Sequence, residues 1–518
     1  MKTKLAVTAV MLSMLLAILD ATIVGTALPR IIAQLGGAGH YTWIVSAYLL
    51  TSTVTVPMYG RLSDSLGRKP LLLGGIAVFL AGSVLCGLAG SMTALIAARA
   101  LQGLGAGALM PLGIALARDL FPGNQGAKVN GAVGAVLGIG YLTGPAVGGL
   151  VTDHAGWRWV FYVNVPIGLA AMAILVVALP HEVVTRRRVR VDWTGIAAFG
   201  AAIALVLVGL TEKGLPGPDG RPHAWTDAPV LGPLAAGVAL LGVFVAVEAR
   251  ATHPIVPLGL FRDRGYAIAC LAAFFAAFAM YAGIVFLPRY FQQVRGDTAT
   301  AAGLRVYPVF VGVVVGSYGA GLLISRTGRY RRWLLLAMLP LAAGALLFAG
   351  LGADTPTPLL VVWMLLLGLG IGPTLSGLTI AVQAAVDPAH RGMATGAVTF
   401  FRQIGGSVAL ALGGSLASQR LLADLPHRLA RAGVPPDTAR AAAHQLTAGT
   451  GTAGRHLPPA VADAAHQSLA HSLGVAVSWL GVPGALIAVA ALALLPERPL
   501  TGPPAQPATS TVPETVSS

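Results

Sequence analysis

Charged residues are scarce in this chain. Only 10% of its 518 residues are charged, whereas an average soluble protein carries about 25%. Apolar runs of about 20 residues, the length that crosses a bilayer as a helix, recur along the whole chain. The runs are continuous rather than alternating, which favours helices over a closed barrel. The composition therefore argues against a soluble globular protein and predicts a helical protein that crosses the membrane many times.

Cysteine and lysine are also rare. The two cysteines, Cys86 and Cys270, each lie in an apolar run, which indicates packing residues rather than a disulfide framework. The chain has five lysines and no G-x-x-x-x-G-K-[ST] phosphate loop. Glycine repeats at 103–107 and 368–372 lie inside apolar runs, where helix packing explains them. We therefore expect no cofactor and no direct use of ATP, which leaves a proton gradient as the energy source.

The chain has a net charge of +15. Most of its charged residues lie in short loops between the apolar runs. No basic block interleaves with aromatic residues, so binding of nucleic acid is not expected. The first run is read as an uncleaved helix and not a signal peptide. Fourteen spans are predicted near residues 5–28, 42–60, 71–90, 93–115, 129–151, 159–180, 193–211, 229–247, 266–288, 302–323, 333–351, 358–381, 396–416 and 472–495.

An even number of spans places both termini on one side. With the termini inside, 20 Lys and Arg residues fall in inner segments and 7 in the short outer loops and outer helix ends. By the positive-inside rule, this predicts a multi-pass protein of the cytoplasmic membrane with both termini cytoplasmic. The outer loop 417–471 holds five histidines without metal-ligand spacing, so a helical hairpin or a disordered loop is expected and no metal site.

The sequence contains an internal duplication. Residues 60–68 (GRLSDSLGR) align with residues 321–329 (GLLISRTGR) at an offset of 261, and the same offset carries span one onto span nine. This predicts two parallel six-helix bundles with a site near the mid-plane between them. The predicted units are a first bundle at 1–185, a linker with two extra spans at 186–262, a second bundle at 263–500, and a disordered tail at 501–518.

Asp20 is the only acidic residue deep in a predicted span. A carboxylate at that depth costs about 3 kcal/mol to insert, which favours a functional role such as binding a proton. The alternative is a structural pair with a nearby arginine. Arg99, in span four, has a similar depth, so we expect it to lie near Asp20 and to help control its protonation.

Two strings combine glycine with other special residues. In the loop after span two, Gly60 and Gly67 permit a turn, Asp64 can face a helix N-terminus, and Arg68 anchors the loop on the inner side. The alternative is a plain basic turn.

The second string lies in span five. There Gly140, Gly144 and Gly148 share one helix face, Gly149 follows them, and Pro145 bends the helix. The alternative is ordinary helix packing.

These strings carry a family resemblance. The loop at 60–70 resembles the signature loop of the major facilitator superfamily, and residues 140–149 resemble the antiporter motif of its exporters. Residues 95–105 resemble the conserved-arginine motif of the same family. Residues 19–29, 43–50, 157–166 and 402–406 are similar to stretches of the fourteen-span drug:proton antiporters, the EmrB/QacA-like group. Gly25 stands where that group usually has Asn, and the duplicated loop has Ser325 in place of the Asp.

The resemblance implies an all-α major facilitator fold with two six-helix bundles plus two inserted helices. It also implies that span five packs on its counterpart, span ten, where Gly312, Gly316 and Ala320 offer a small face.

Polar and aromatic residues within the spans are candidates for a central substrate cavity, although packing or lipid contact is the alternative for each aromatic. The candidates are Tyr48, Tyr141, Phe274, Phe278, Tyr281, Gln292, Tyr307, Phe400, Arg402 and Gln403. Arg402 and Gln403 stand out because a charge inside a span usually faces the bundle or water.

The sequence thus predicts a secondary active transporter and not an enzyme. The favoured function is a monomeric exporter that exchanges protons for an amphipathic drug or antibiotic across the lipid bilayer. Two alternatives stay open: a proton-coupled uptake symporter for a small organic solute, and a membrane sensor that transports nothing.

Overall fold

The structure, a computed structural model, describes residues 2–37, 40–120, 126–178, 193–215, 217, 223–250, 258–386, 391–431, 433 and 459–498. These residues form helices and turns and contain no strand. The helices are α1 (Lys2–Leu35), α2 (Thr42–Leu66), α3 (Arg68–Leu88), α4 (Met92–Leu120), α5 (Gly126–His154), α6 (Trp159–Tyr162), α7 (Asn164–Ala178), α8 (Trp193–Glu212), α9 (Ala228–Arg250), α10 (Arg264–Gln293), α11 (Ala299–Arg305), α12 (Tyr307–Thr327), α13 (Tyr330–Leu347), α14 (Thr357–Ala385), α15 (Arg391–Arg431) and α16 (Pro459–Ala493). The predicted tail 501–518 lies outside the described residues.

The chain is a multi-pass membrane protein. Ten helical stretches among the described residues are long and apolar enough to cross a bilayer, and shorter apolar helices cover Thr42–Val56 and Ala197–Glu212. Every predicted span overlaps a helix, but two of them are divided. Pro166 lies in the first turn of α7 and Pro308 in the first turn of α12, where the missing N–H of proline leaves no bond unmade.

The helix packing repeats along the chain. Helix α1 packs on α4, α5 and α7, and α10 packs in the same way on α14, α15 and α16. Helix α4 contacts α2 and α3, as α14 contacts α12 and α13. We call α1–α7 the first half and α10–α16 the second half.

Helices α8 and α9 pack on each other beside both halves. Helix α8 contacts α2 of the first half and α15 of the second. The Phe199 ring of α8 lies 5.2 Å from the Phe400 ring and 5.0 Å from the Phe244 ring. The predicted cavity residue Phe400 therefore packs against the inserted helix pair.

The two halves meet most closely at one end of the bundle. We name this end after Asp153, near the end of α5, and the opposite end after Arg68. At the Asp153 end, the Gln292 side-chain amide donates to the Thr26 carbonyl across the halves at 2.7 Å. At the Arg68 end, Arg68 donates to the Ala115 carbonyl within the first half at 2.8 Å. The helix contacts between α5 and α11 and between α1 and α10 close the Asp153 end.

The predicted outer loop 417–471 is helical where the structure describes it. Helix α15 continues to Arg431 and α16 begins at Pro459, so both extend beyond the predicted spans. Leu421, Leu425 and Leu429 form an apolar cluster with Ala465 of α16. These contacts make a helical hairpin, one of the two expected forms.

Candidate functional site

Asp20 is at the centre of a buried polar cluster in the first half. Its side chain is completely buried in α1, and the Arg99 Nη1 atom of α4 lies 2.6 Å from its Oδ2 atom. The two residues that share a predicted depth are therefore an ion pair. A buried pair of this kind costs desolvation energy to form, but removal of one partner costs about 3–5 kcal/mol because it leaves an uncompensated charge.

Three residues that no sequence motif assigned to this site complete the cluster. The Asp20 Oδ1 atom accepts hydrogen bonds from the side-chain amides of Gln102 at 2.9 Å and Asn164 at 2.8 Å. Both amides also donate to the Ser83 hydroxyl, which donates in turn to the Phe161 carbonyl. Four helices, α1, α3, α4 and α7, thus supply side chains to one network.

The signals for these residues were weak. Gln102 stands three positions after Arg99, so the two share a helix face, and Arg99 donates to the side-chain Oε1 atom of Gln102 at 2.7 Å. Asn164 lies in the 157–166 string that matched the antiporter group. Ser83 is one hydroxyl in a long apolar run, and nothing in its spacing indicated a partner.

The guanidinium of Arg99 is held on every side. Its Nε atom donates to the Ile44 carbonyl at 3.0 Å. The ring of Tyr48 lies 4.1 Å from its Cζ atom and that of Phe161 lies 5.8 Å away, both within the range of cation–π attraction. Tyr48, predicted to line the cavity, therefore packs on the ion pair.

A second group of polar residues lies between the halves. Arg402 of α15 donates to the Thr374 carbonyl at 3.5 Å, a long hydrogen bond. Its electrostatic neighbours are the hydroxyls of Tyr141 in α5 and Tyr281 in α10. The Thr53 hydroxyl of α2 donates to the Gln403 side chain at 2.5 Å. The structure thus places three predicted cavity residues, Arg402, Tyr141 and Tyr281, near one another, while the fourth, Gln403, bonds to α2.

The remaining predicted cavity residues lie elsewhere. Phe278 packs on the rings of Phe274 and Phe275 within the second half. Gln292 bridges α10 to α1 at the Asp153 end, and Tyr307 begins α12.

A small crevice at the interface of the halves has room for about one water molecule, at ≈ 10 Å³. Its walls include Thr22, Pro145, Gly283 and Phe310, and the Phe310 ring stacks on Tyr141 at 6.0 Å.

The glycine face of α5 packs on a helix that was not expected. A Cβ atom built on Gly140, Gly144 or Gly148 would collide with residues of α1, the nearest being Thr22 Oγ1 at 1.9 Å from Gly144. The expected partner face of span ten packs instead on α14, where Gly312 meets the Leu365 carbonyl. The predicted contact between these two small faces is therefore wrong, because each face is used within its own half.

Span five does meet span ten at the Asp153 end. A Cβ on Gly149 would lie 2.4 Å from the Ala299 carbonyl, and one on Gly303 would lie 2.2 Å from the Pro145 carbonyl. Asp153 fastens this contact: its carboxylate accepts from the Thr300 backbone N–H at 2.7 Å and from the Thr300 hydroxyl at 2.6 Å. The close approach of α5 and α11 therefore requires glycine on both sides.

In the loop motif at 60–70, the chain turns at Gly67 and not at Gly60. Gly60 lies inside α2, which continues to Leu66, and Gly67 makes the turn with a φ of +86°. The side chain of Asp64 lies outside the described set. After the turn, Arg68 and Lys69 donate to carbonyls of α4 and α7 at 2.8 and 3.0 Å.

No group of three or more His, Cys, Asp or Glu side chains with metal-binding geometry occurs among the described residues. His471 lies 3.7 Å from the Asp424 carboxylate in the α15–α16 hairpin. His444 and His456 are outside the part of the chain that the structure describes.

The apolar helices and their repeated packing define a helical, multi-pass membrane protein. The Major Facilitator Superfamily profile matches residues 10–410, more than three quarters of the chain. The chain therefore belongs to the Major Facilitator Superfamily.

Curated relatives share this family. An uncharacterised MFS-type transporter of Mycobacterium tuberculosis (strain ATCC 25618 / H37Rv) is 38% identical over 409 residues, which cover 79% of this chain and 58% of that protein. This chain therefore spans less than two thirds of that transporter. The multidrug transporter protein MdtP of Bacillus subtilis (strain 168) is 35% identical over 81% of this chain and 76% of that protein. Multidrug resistance protein 3 of the same organism is 32% identical over 80% of this chain and 79% of that protein.

A solved structure shares the fold. The bacterial homologue of the human lysosomal transporter Spinster, in an inward-facing and unoccupied conformation, matches with a TM-score of 0.62. The match is 17% identical and covers 97% of this chain and 99% of that one.

Proposed function

We propose that this protein is a proton-coupled efflux antiporter of the cytoplasmic membrane that exchanges protons for an amphipathic drug or antibiotic. The observation that carries the proposal is Asp20, the only acidic residue deep in a predicted span, paired with Arg99 at 2.6 Å. The names of the Bacillus relatives, a multidrug transporter and a multidrug resistance protein, support export of drugs.

Asp20 must take up and release its proton in a conformation other than the one that the structure describes. In the structure Asp20 is sealed from solvent and its bundle is closed at the Asp153 end. Water must reach the carboxylate when α1 and its neighbours rearrange. Protonation there removes the charge that holds Arg99, so the ion pair weakens and the cluster loosens.

One contact and two electrostatic neighbours link this event to the second half. Tyr48 stacks on Arg99, and Tyr281 of α10 is an electrostatic neighbour of Tyr48. Tyr281 also neighbours Arg402. A change in the charge of the Asp20–Arg99 pair can therefore be felt electrostatically by the residues between the halves, where two rocking bundles place their site.

The experiment uses Asp20→Asn, with Asp424→Asn as the control. A susceptibility panel on a pump-deficient host first identifies an exported drug. Everted vesicles then report drug-dependent proton flux through a pH-sensitive acridine dye. We expect Asp20→Asn to abolish this flux while exchange of labelled for unlabelled drug, measured without a gradient, persists.

Three results would contradict the proposal. Wild-type proton flux in Asp20→Asn would end the role of this carboxylate in coupling. Loss of both flux and exchange, together with a lower melting temperature, would assign Asp20 to the structural pair. Accumulation of drug in the opposite direction would favour the uptake symporter.

We further propose fourteen spans, both termini in the cytoplasm, and a monomer as the functional unit. Reporters that fluoresce only in the cytoplasm, fused to either terminus, should both give signal. A C-terminal fusion that does not fluoresce would count against fourteen spans with a cytoplasmic C-terminus. Light scattering of the purified protein in detergent should give the mass of one chain, and the mass of a dimer would count against the monomer.

A further inference from the structure

Among the residues that the structure describes, Arg402 has no acidic partner in the centre of the bundle. Among the described residues its recorded protein contact is the long hydrogen bond to the Thr374 carbonyl at 3.5 Å, although a guanidinium carries five N–H donors. The electrostatic neighbours of Arg402 are two tyrosine hydroxyls and include no carboxylate.

No described carboxylate of the first half is an electrostatic neighbour of Arg402. Asp20 is the only acidic residue deep in a predicted span, and its Oδ2 atom already bonds Arg99 at 2.6 Å. The Asp20–Arg99 pair is formally neutral. Among the described residues, the positive charge of Arg402 therefore has no carboxylate beside it.

Arg402 faces the space between the halves. Tyr281 of α10 packs against Gly406, one helical turn after Arg402 on the same face of α15, while Tyr141 belongs to α5 of the first half. Arg402, Tyr141 and Tyr281 are each partly exposed although they lie at mid-span. Their neighbourhood combines one cation with aromatic surface, because Tyr141 stacks on Phe310.

We propose that the transported substrate class is aromatic amphiphiles that carry one negative charge, with the carboxylate or phenolate of the substrate bound to Arg402. This inference rests on the proposed function and names its substrate. A planar guanidinium binds a carboxylate through two parallel hydrogen bonds. The tyrosine hydroxyls can donate to the same anion, and the aromatic rings contact the apolar body of the substrate.

The proposal also fixes the charge that moves in each cycle. Export of a monoanion in exchange for one proton carries two positive charges inward, whereas export of a monocation carries none. Transport of the anion should therefore respond to membrane potential as well as to the pH gradient.

Binding is tested with three pyrene probes that differ only in their head group: 1-pyrenebutyrate, its methyl ester, and 1-pyrenebutyl-trimethylammonium. The purified full chain in detergent should bind the carboxylate at least tenfold more tightly than the ester or the ammonium. Arg402→Gln should lose this tenfold preference, Arg402→Lys should keep part of it, and Arg402→Glu should prefer the ammonium.

Arg420→Gln is the matched control, because Arg420 is an exposed arginine of the same helix, and it should bind as the wild type does. Thermal unfolding checks that each variant is folded. Equal binding of the three probes, preference for the ammonium by the wild type, or an unchanged preference in a folded Arg402→Gln would overturn the proposal.

The two proposals fail separately. Binding does not require proton coupling, so loss of coupling with an intact carboxylate preference would defeat only the antiport proposal. Coupled transport of cations with no preference for the carboxylate would defeat only this one.

Discussion

The Asp153 carboxylate should hold the two halves together at its end of the bundle. Its Oδ1 atom accepts from the Ala299 N–H at 3.1 Å, and its Oδ2 atom accepts twice from Thr300, at 2.7 and 2.6 Å. These hydrogen bonds join α5 of the first half to α11 of the second. They can form only while the Asp153 end is closed.

The effect of Asp153→Asn follows from this geometry. Asparagine keeps one acceptor oxygen and loses the charge, so one or two of the three bonds are lost. A hydrogen bond to a charged group contributes about 1.5–3 kcal/mol, and partial exposure reduces this. We expect the closed state to lose about 1–2 kcal/mol, which shifts the ratio of closed to open molecules by about 5- to 30-fold.

The assay is a distance measurement between spin labels at Ala33→Cys and Pro356→Cys. These exposed positions belong to different halves at the Asp153 end, and both native cysteines are buried. Asp297→Asn is the control, since Asp297 pairs with Arg305 at 3.0 Å inside the second half. An unchanged distance distribution in Asp153→Asn, or an equal shift in Asp297→Asn, would refute the idea that the Asp153 carboxylate holds the two halves together.

The same contact predicts a pH dependence. Partial burial raises the pKa of Asp153, but the hydrogen bonds from Thr300 and Ala299 lower it more, so the net pKa is below its ordinary value of 3.8. Because the pKa of Asp153 is lower in the closed state, the ionised carboxylate stabilises that state at any pH above its ordinary pKa. This stabilisation disappears as the pH falls through the lowered pKa. Asp153 stays ionised from about pH 5 to 8, so its titration should not change the distance between the spin labels in this range.

Two further substitutions test the packing. Gly144→Ala places a methyl group 1.9 Å from Thr22 Oγ1 and should destabilise the protein by about 1–3 kcal/mol; Gly138→Ala, which meets nothing within 4 Å, should be neutral in the same thermal unfolding assay. Asn164→Ala removes a donor from the buried Asp20 carboxylate and should cost about 1–3 kcal/mol and reduce proton flux; an unchanged melting temperature would show that water replaces the amide.

The sequence was sufficient for the helices and for one ion pair. Apolar runs determine where helices lie, because a backbone in lipid must satisfy its own hydrogen bonds. The depth of Asp20 and Arg99 along their spans is a property of position alone, and the pair followed from it. Helix ends were less certain: α2 continues past Gly60, since a single glycine weakens a helix without ending it.

The partners of each helix face needed the folded chain. The spacing of Gly140, Gly144 and Gly148 predicted close packing of α5 on another helix. A face of small residues can pack on any helix, however, and in the structure it packs on α1 rather than on α12. Gln102 and Asn164 donate to Asp20 from helices that lie 82 and 144 residues away in sequence, and both also donate to Ser83. Such convergence depends on side-chain directions, which the period of a helix constrains but does not determine.

The amino-acid sequence by itself determined a helical membrane protein with one deep carboxylate, because the cost of burying charge and unpaired backbone in lipid is a local quantity. Only the tertiary structure decided that Gln102 and Asn164 also donate to Asp20 and that Arg402 lacks an acidic partner among the described residues. Compensation of charge depends on which helices become neighbours, and that is settled by packing between residues distant in the chain.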